Sequence, residues 1–158
     1  MKFSVEPIGF VRGARREPED DFWGRERSRI ELVEALPADS LRGLEDFSHV
    51  EVIFVFHAVD SAKIVAGARH PRGNLAWPSV GIFAQRGKER PNRIGSTICR
   101  VERVEERTVH VAELDAIDGT PVLDIKPVMQ EFLPRHEVRQ PQWSKELMRD
   151  YWLDGKRK

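Results

Sequence analysis

The sequence has 158 residues, of which 40% are hydrophobic and 33% are charged. These fractions are typical of one folded domain and exclude a disordered chain. Lys and Arg together number 26, as do Asp and Glu, so the formal net charge is zero, whereas proteins that coat nucleic acid are usually basic.

Several classes of site and location are excluded or disfavoured by residue counts and spacing. The single cysteine, Cys99, rules out an internal disulfide and a multi-cysteine zinc site. The five histidines have no metal-ligand spacing, so no metal is expected. Neither an apolar run long enough to span a membrane nor a signal peptide is found, and a cytoplasmic protein is expected.

Seven stretches have strand character, with β-branched and aromatic residues between turn-forming ones. In the third, Val50, Val52, Phe54 and Phe56 alternate with their neighbours, which predicts that they share one face. The first is interrupted by proline and glycine, as in an irregular or edge strand. The stretches cover residues 3–12, 29–36, 48–59, 80–85, 95–104, 108–114 and 121–125.

Helical signals are fewer. Residues 37–44 predict a short helix, and residues 142–153 predict an amphipathic one whose aromatic side chains make core or dimer contacts. Residues 60–80 contain many breakers and predict a functional or mobile loop. We therefore expect a mainly β, small single-domain β-barrel or strongly bent sheet over residues 1–154, with a few short helices, a C-terminal amphipathic helix and a frayed tail at 155–158.

The first segment that is rich in functional residue types covers residues 81–95. It carries four cations against one carboxylate within eight residues, which fits either a solvated loop or a phosphate-binding one. Asn92 could shape a turn or contact an adenine-like edge. The four cations are Arg86, Lys88, Arg90 and Arg93.

The second such segment covers residues 112–127, where four carboxylates fall within twelve residues. Asp118 precedes Gly119 in a strong turn signal, so it could shape a loop or act chemically. Asp124 could act chemically or simply pair with Lys126. No GxGxxG motif, Walker-type loop or nucleophile elbow accompanies these residues, so a nucleotide-binding α/β fold and a serine hydrolase are not indicated.

Four motifs in order along residues 5–128 resemble the TrmO (TsaA-like, YaeB-like) tRNA methyltransferase family. They are PIGFVR at 7–12; LRGLEDFSH at 41–49 with FVFH at 54–57; GIFAQR at 81–86 followed by RPN at 90–92 and IG at 94–95; and LD at 114–115 followed by DGTPVLDIKP at 118–127.

The resemblance implies a small β-barrel, usually a homodimer, that binds S-adenosyl-L-methionine and methylates N6 of threonylcarbamoyladenosine next to the anticodon of a tRNA. Matched residue by residue, it places the cofactor contacts at Trp23, Gly24, His57, Ala58, Arg86, Ser96, Ala112, Glu113, Leu114 and Asp115.

Roles in the reaction follow from this resemblance together with residue chemistry. Methyl transfer from a sulfonium needs alignment and, for an N6 acceptor, removal of a proton, for which Asp118 or Asp124 is the candidate. Asn92 would shape the loop or contact the base. The cations Arg86, Lys88, Arg90 and Arg93 would hold phosphates of an anticodon stem-loop.

The chain departs from the family pattern at three points. Arg93 replaces the second proline of the usual Pro-Asn-Pro-Ile-Gly, and Val128 replaces an aromatic residue. Only about 30 residues follow Val128, fewer than the C-terminal domain of longer bacterial members needs.

Two other functions are alternatives to a tRNA methyltransferase. One is a module that senses S-adenosylmethionine or docks RNA without turnover, and the other is a small-molecule methyltransferase.

Overall fold

The apolar faces of six antiparallel strands line the inside of a closed barrel. The computed structural model describes residues 1–155, so the tail expected at 155–158 lies outside the described residues except for Gly155. Around the barrel the strands follow the order β1-β2-β7-β6-β3-β8, and β4 pairs with β5 in a separate two-stranded sheet. The strands are β1 (Gly9–Arg12), β2 (Arg27–Leu32), β3 (His49–Val55), β4 (Ala68–Arg69), β5 (Val80–Gly81), β6 (Ile94–Glu105), β7 (Thr108–Ala112) and β8 (Pro121–Pro127).

The core lies inside the barrel and is built from alternate residues of each strand. In β3 the side chains of Val50, Val52 and Phe54 are at most 1% exposed, which confirms the face predicted for them. Val11 and Val111 are fully buried on β1 and β7. Burial of one such side chain contributes about 1.5–3 kcal/mol, so the burial of these alternate residues is the main driving force that closes the barrel. The prediction of a mainly β barrel is confirmed.

Two predicted elements are shorter than expected. In residues 80–85 only Val80–Gly81 is a strand, because Ile82–Ala84 turns as a 3-10 helix that buries Ile82. The only α-helix within residues 1–155 is α1 (Gln142–Met148), which ends before the predicted residue 153. The backbone carbonyls of Asp150 and Tyr151 instead accept hydrogen bonds from another loop.

The boundaries of other elements also differ from those predicted from the sequence. Residues 37–44 form no α-helix but a 3-10 turn, Ala38–Leu41, and a second turn, Leu44–Asp46, follows Gly43, whose φ of 87° interrupts the helical path. The first strand begins only at Gly9, and residues 1–6 are exposed. Within residues 1–155, no helix is long and apolar enough to span a bilayer.

Antiparallel connectivity brings three long connections to one end of the barrel, which we call the loop end. They are residues 13–26 between β1 and β2, residues 56–93 between β3 and β6, and residues 113–120 between β7 and β8. The chain leaves β8 at the opposite end, and α1 with the C-terminal segment (residues 149–155) packs against the loop end. Long connections between rigid strands are the usual place for binding residues.

Candidate functional site

The structure gathers most of the sequence-predicted site residues at or beside the loop end. Ser96 of β6 and Asp124 of β8 lie within the barrel strands, where both pair with Ile53 of β3. The carboxylate of Asp124 pairs with the ammonium of Lys126 at 2.8 Å and accepts from the backbone N–H of Ile125 at 2.9 Å. These contacts match the simple pairing considered for it, and they place its carboxylate on the outer wall of the barrel.

The first connection is folded around Arg15, a residue that sequence reasoning did not single out. Its guanidinium donates to the carboxylate of Glu26 and to the backbone carbonyls of Asp21 and Phe22, at 2.5–3.0 Å. The same group lies 3.7 Å from the ring centroid of Trp23, a cation–π contact. Trp23 is only 4% exposed, so the side chain of this predicted cofactor contact is packed inside the first connection.

The second connection carries the predicted basic loop, and buried Gln85 anchors it. The side-chain amide of Gln85 donates to the carbonyls of Arg69 and Val80 at 3.2 and 2.9 Å. The guanidinium of Arg90 in turn donates to the carbonyl of Gln85 at 2.8 Å, and that of Arg93 donates to the carbonyl of Val59 at 3.1 Å. Two of the four predicted phosphate-binding cations therefore brace the loop itself.

The other two cations differ in exposure. Arg86 is exposed and donates to the carbonyl of Ser96 at 2.6 Å, which joins two predicted cofactor contacts. Lys88 is half-buried, with its ammonium 3.8 Å from the carboxylate of Asp20. Asn92 is exposed, as are His57 and Ala58 at the end of β3.

Arg93 also has a backbone conformation that its sequence position does not predict. Its φ of 52° lies in the left-handed region, which proline cannot adopt because its ring fixes φ near −65°. The replacement of the family's proline by Arg93 thus fits the local path of this loop.

The third connection starts with residues 112–115, all predicted cofactor contacts. Ala112 and Leu114 are fully buried. Asp115 extends its carboxylate between two hydroxyl donors: Thr97 of β6 donates to one oxygen and Tyr151 of the C-terminal segment donates to the other. Neither donor was predicted as a site residue, because the contacts join positions 18 and 36 residues away from Asp115.

Burial and nearby carboxylates shift the titration of two groups beside Asp115. Burial, with the charge of Asp115, raises the pKa of the Tyr151 hydroxyl far above its usual value, so this group remains a donor. Burial foremost, followed by the charges of Asp115 and Glu113, raises the pKa of the Cys99 thiol from 9.0 to about 12. The thiol is therefore neutral and not nucleophilic near neutral pH.

Asp118 shapes the turn that closes the third connection. Its carboxylate accepts from the backbone N–H of Gly13 at 2.8 Å, and its own N–H donates to the carbonyl of Arg15 at 2.8 Å. Gly119 follows with a φ of 82°, and a Cβ placed there would lie 3.9 Å from the His57 ring. The turn-shaping interpretation of Asp118 is supported, and its second carboxylate oxygen faces no bonded donor within residues 1–155.

The C-terminal segment covers Trp23 and Gly24. The N–H groups of Phe22 and Trp23 donate to the carbonyls of Asp150 and Tyr151 at 3.2 and 2.8 Å. A Cβ at Gly24 would lie 2.1 Å from the Trp152 carbonyl oxygen, so only glycine allows this approach. No cluster of three or more potential metal ligands exists among residues 1–155.

The model of the tRNA-methyltransferase O N-terminal domain matches residues 15–132, three quarters of the sequence and nearly the whole barrel. The chain belongs to the TrmO N-terminal domain family. A crystal structure of TrmO from Pseudomonas aeruginosa has the same fold, with a TM-score of 0.69 and 31% sequence identity, covering 88% of this chain and 62% of that one.

Two relatives of this TrmO-family chain differ in length. The human tRNA (adenine(37)-N6)-methyltransferase is 38% identical over 145 residues, which cover 87% of this chain and 32% of the human protein. A probable S-adenosyl-L-methionine-binding protein of Methanothermobacter thermautotrophicus is 34% identical over 137 residues, covering 83% of this chain and 93% of that protein. The chain thus spans about a third of the human relative and nearly all of the archaeal one.

Proposed function

We propose that this protein uses S-adenosylmethionine to methylate N6 of an adenine in tRNA. The observation that carries the proposal is that the loop end gathers the residues implied as cofactor contacts, with Arg86 bonded to Ser96 and Asp115 beside them. Membership of the TrmO family supports the same activity, because the human relative is named a tRNA (adenine(37)-N6)-methyltransferase.

The side chains at the loop end fit the polar parts of S-adenosylmethionine. The carboxylate of Asp115 suits hydroxyl or ammonium donors, such as those of a ribose or an amino acid. The exposed guanidinium of Arg86 suits a carboxylate. When bound, S-adenosylmethionine supplies a methyl group on a positively charged sulfur. Buried Leu114 and Trp23 support the backbone around these groups.

The residues of the chain would mainly orient the acceptor and exclude water. An adenine N6 that accepts a methyl group must lose a proton, and we propose that Asp118 accepts it. Its second carboxylate oxygen is available, and its bond to Gly13 fixes its direction. Asp124 is the weaker proposal because its carboxylate pairs with Lys126 on the outer wall. We propose that exposed Asn92 contacts the base or shapes the loop.

We propose that the acceptor is the anticodon stem-loop of a tRNA, which would place the reaction in the cytoplasm. Arg86 and Lys88 offer phosphate-binding groups at the mouth of the loop end. Arg90 and Arg93 each use one nitrogen for a backbone carbonyl and keep further N–H donors for phosphate. Phosphate contacts would make binding depend strongly on salt.

We also propose that the protein forms a homodimer. Ile94 and Ile98 lie four residues apart on the outer face of β6, with Ser96 between them, and they are 44% and 47% exposed. Phe83, 76% exposed, precedes the basic loop. A second copy that covers these side chains would remove apolar surface from water.

The experiment that tests the proposed function uses radiolabelled S-adenosylmethionine and total tRNA. We expect transfer of label to tRNA, recovered after digestion as one N6-methylated adenosine nucleoside. Label transferred to tRNA on another atom would overturn the acceptor assignment. Binding of S-adenosylmethionine without any transfer would favour a sensing module, and transfer only to a small molecule would favour the third alternative.

A further inference from the structure

The C-terminal segment is tied to the candidate cofactor site from two sides. Its carbonyls accept hydrogen bonds from the N–H groups of Phe22 and Trp23. Just before it, the α1 side chain of Glu146 accepts from the indole N–H of Trp77 at 2.8 Å. The segment is therefore held by the first connection directly and by the second connection through α1, which makes it part of the loop end.

Within this segment, Tyr151 contacts a predicted cofactor residue directly. Its hydroxyl donates to one carboxylate oxygen of Asp115, while Thr97 donates to the other. The Tyr151 ring also packs edge-to-face on Trp152, with centroids 4.9 Å apart. Two O–H donors from different elements thus fix the carboxylate of Asp115, and each of its oxygens keeps capacity to accept from a ligand.

We infer that Tyr151 is a positioning residue of the S-adenosylmethionine site, whose hydroxyl holds the Asp115 carboxylate in the orientation that accepts hydrogen bonds from the cofactor. The inference rests on the proposed function. It adds a residue beyond the family match at 15–132 and gives the C-terminal segment a role as one wall of the site.

If the C-terminal segment blocked the cofactor site instead of forming part of it, removal of the Tyr151 hydroxyl would change cofactor affinity in the opposite direction. If residues 149–155 filled the place of the cofactor, Tyr151 would compete for Asp115, and removal of its hydroxyl would strengthen binding. If Tyr151 positions Asp115, removal leaves the carboxylate with one donor and free to rotate. The same substitution therefore shows whether the segment lines the cofactor site or occupies it.

The main experiment measures S-adenosylmethionine affinity by calorimetry for wild type, Tyr151→Phe, Asp115→Asn and the double variant. We expect Tyr151→Phe to weaken binding about five- to tenfold, which is less than the loss of a direct hydrogen bond to a charged group, because Thr97 still holds one oxygen of Asp115. In the Asp115→Asn background, Tyr151→Phe should have little further effect, because Tyr151 acts through Asp115. A merely structural role would give the same loss in both backgrounds and would contradict the inference.

The control is Arg149→Ala, which changes the same segment at a side chain that is 79% exposed. It should bind like wild type. Tyr151→Phe binding that is unchanged or tighter would overturn the positioning role. No binding by wild type would instead remove the proposed function, so the two failures are distinct.

Discussion

The guanidinium of Arg86 donates a hydrogen bond of 2.6 Å to the backbone carbonyl of Ser96, ten residues along the chain. This bond fastens the outward turn of the basic loop to the first residues of β6, next to Thr97. Thr97 in turn contacts Asp115, so Arg86 and Asp115 are connected through two consecutive residues of one strand. The two polar groups that we propose as cofactor contacts are thereby linked through β6.

We predict that Arg86→Ala weakens S-adenosylmethionine binding about tenfold or more. The variant loses the proposed carboxylate contact and the bond to Ser96, and hydrogen bonds of charged groups contribute about 1.5–3 kcal/mol. Arg86→Lys should be intermediate, because a single ammonium cannot replace a planar fork at both partners. Calorimetry measures both affinities. Wild-type affinity in the alanine variant would show that Arg86 does not bind the cofactor.

A close approach inside the barrel leads to a prediction on stability. A Cβ at Gly95 would lie 2.5 Å from the ring of Phe54 and 2.8 Å from that of Phe56. We predict that Gly95→Ala lowers the free energy of unfolding by about 1–3 kcal/mol, as overpacking does. The control is Gly67→Ala, where a Cβ would meet nothing within 4 Å. Urea denaturation measures both, and equal stability of the two variants would contradict the crowding.

The strands of the barrel could be predicted from sequence because burial of one face leaves a local pattern. Val50, Val52 and Phe54 show this directly, since period-two alternation needs no knowledge of the rest of the chain. The length of α1 could not be predicted. The apolar pattern continues to Trp152, but hydrogen bonds from Phe22 and Trp23 hold residues 150 and 151 outside a helix.

The candidate site could be predicted only in part. Motif resemblance predicts Arg86 and Asp115 as cofactor contacts, and this stays a prediction, whereas the hydroxyl groups that contact Asp115 come from distant positions that leave no pattern in the sequence. Arg15 acts mostly on backbone carbonyls, which any residue can provide. Asp124 sits in a motif beside Asp118, yet a strand places its carboxylate on the outer wall.

Cys99 provides a prediction on pH. Burial raises the pKa of its thiol from the usual 9.0 to about 12 in the folded protein, so the folded state binds the proton more tightly than the unfolded state does. The thiol of Cys99 contributes its full stabilisation of the folded state below about pH 9. This contribution is lost as the pH rises toward about 12, because the thiol then ionises in the unfolded state first. We predict that the stability advantage of wild type over Cys99→Ala narrows in this window, by up to about 1.4 kcal/mol per pH unit. A constant difference in urea denaturation across the window would contradict it.

The proposed dimer makes a prediction on mass. We predict that light scattering gives twice the chain mass for wild type, and that Ile98→Asp shifts the mass toward the monomer because a charge would be buried in the interface. The control is Val138→Asp, at a side chain that is 64% exposed outside the barrel. A monomeric wild type at all concentrations would remove the proposal.

The last prediction concerns the basic loop, where the charge of Arg90 and Arg93 must be distinguished from the hydrogen bonds by which they hold the loop. Arg90 and Arg93 both donate to backbone carbonyls, so replacing them by alanine removes a phosphate-binding charge and loosens the loop at once. The double lysine variant, Arg90→Lys with Arg93→Lys, keeps the charge but loses the fork geometry. We predict that the double alanine variant weakens binding of an anticodon stem-loop RNA and flattens its salt dependence, because fewer counterions are released.

The double lysine variant should retain most of the salt slope. S-adenosylmethionine affinity should stay nearly unchanged in the lysine variant. Any decrease of this affinity in the alanine variant would measure how much the hydrogen bonds of Arg90 and Arg93 within the loop help to position Arg86. Filter binding of the RNA at several salt concentrations, with calorimetry for the cofactor, separates these effects. If both variants bind RNA like wild type with the same slope, Arg90 and Arg93 serve only the loop, and phosphate contacts must be sought at Arg86 and Lys88.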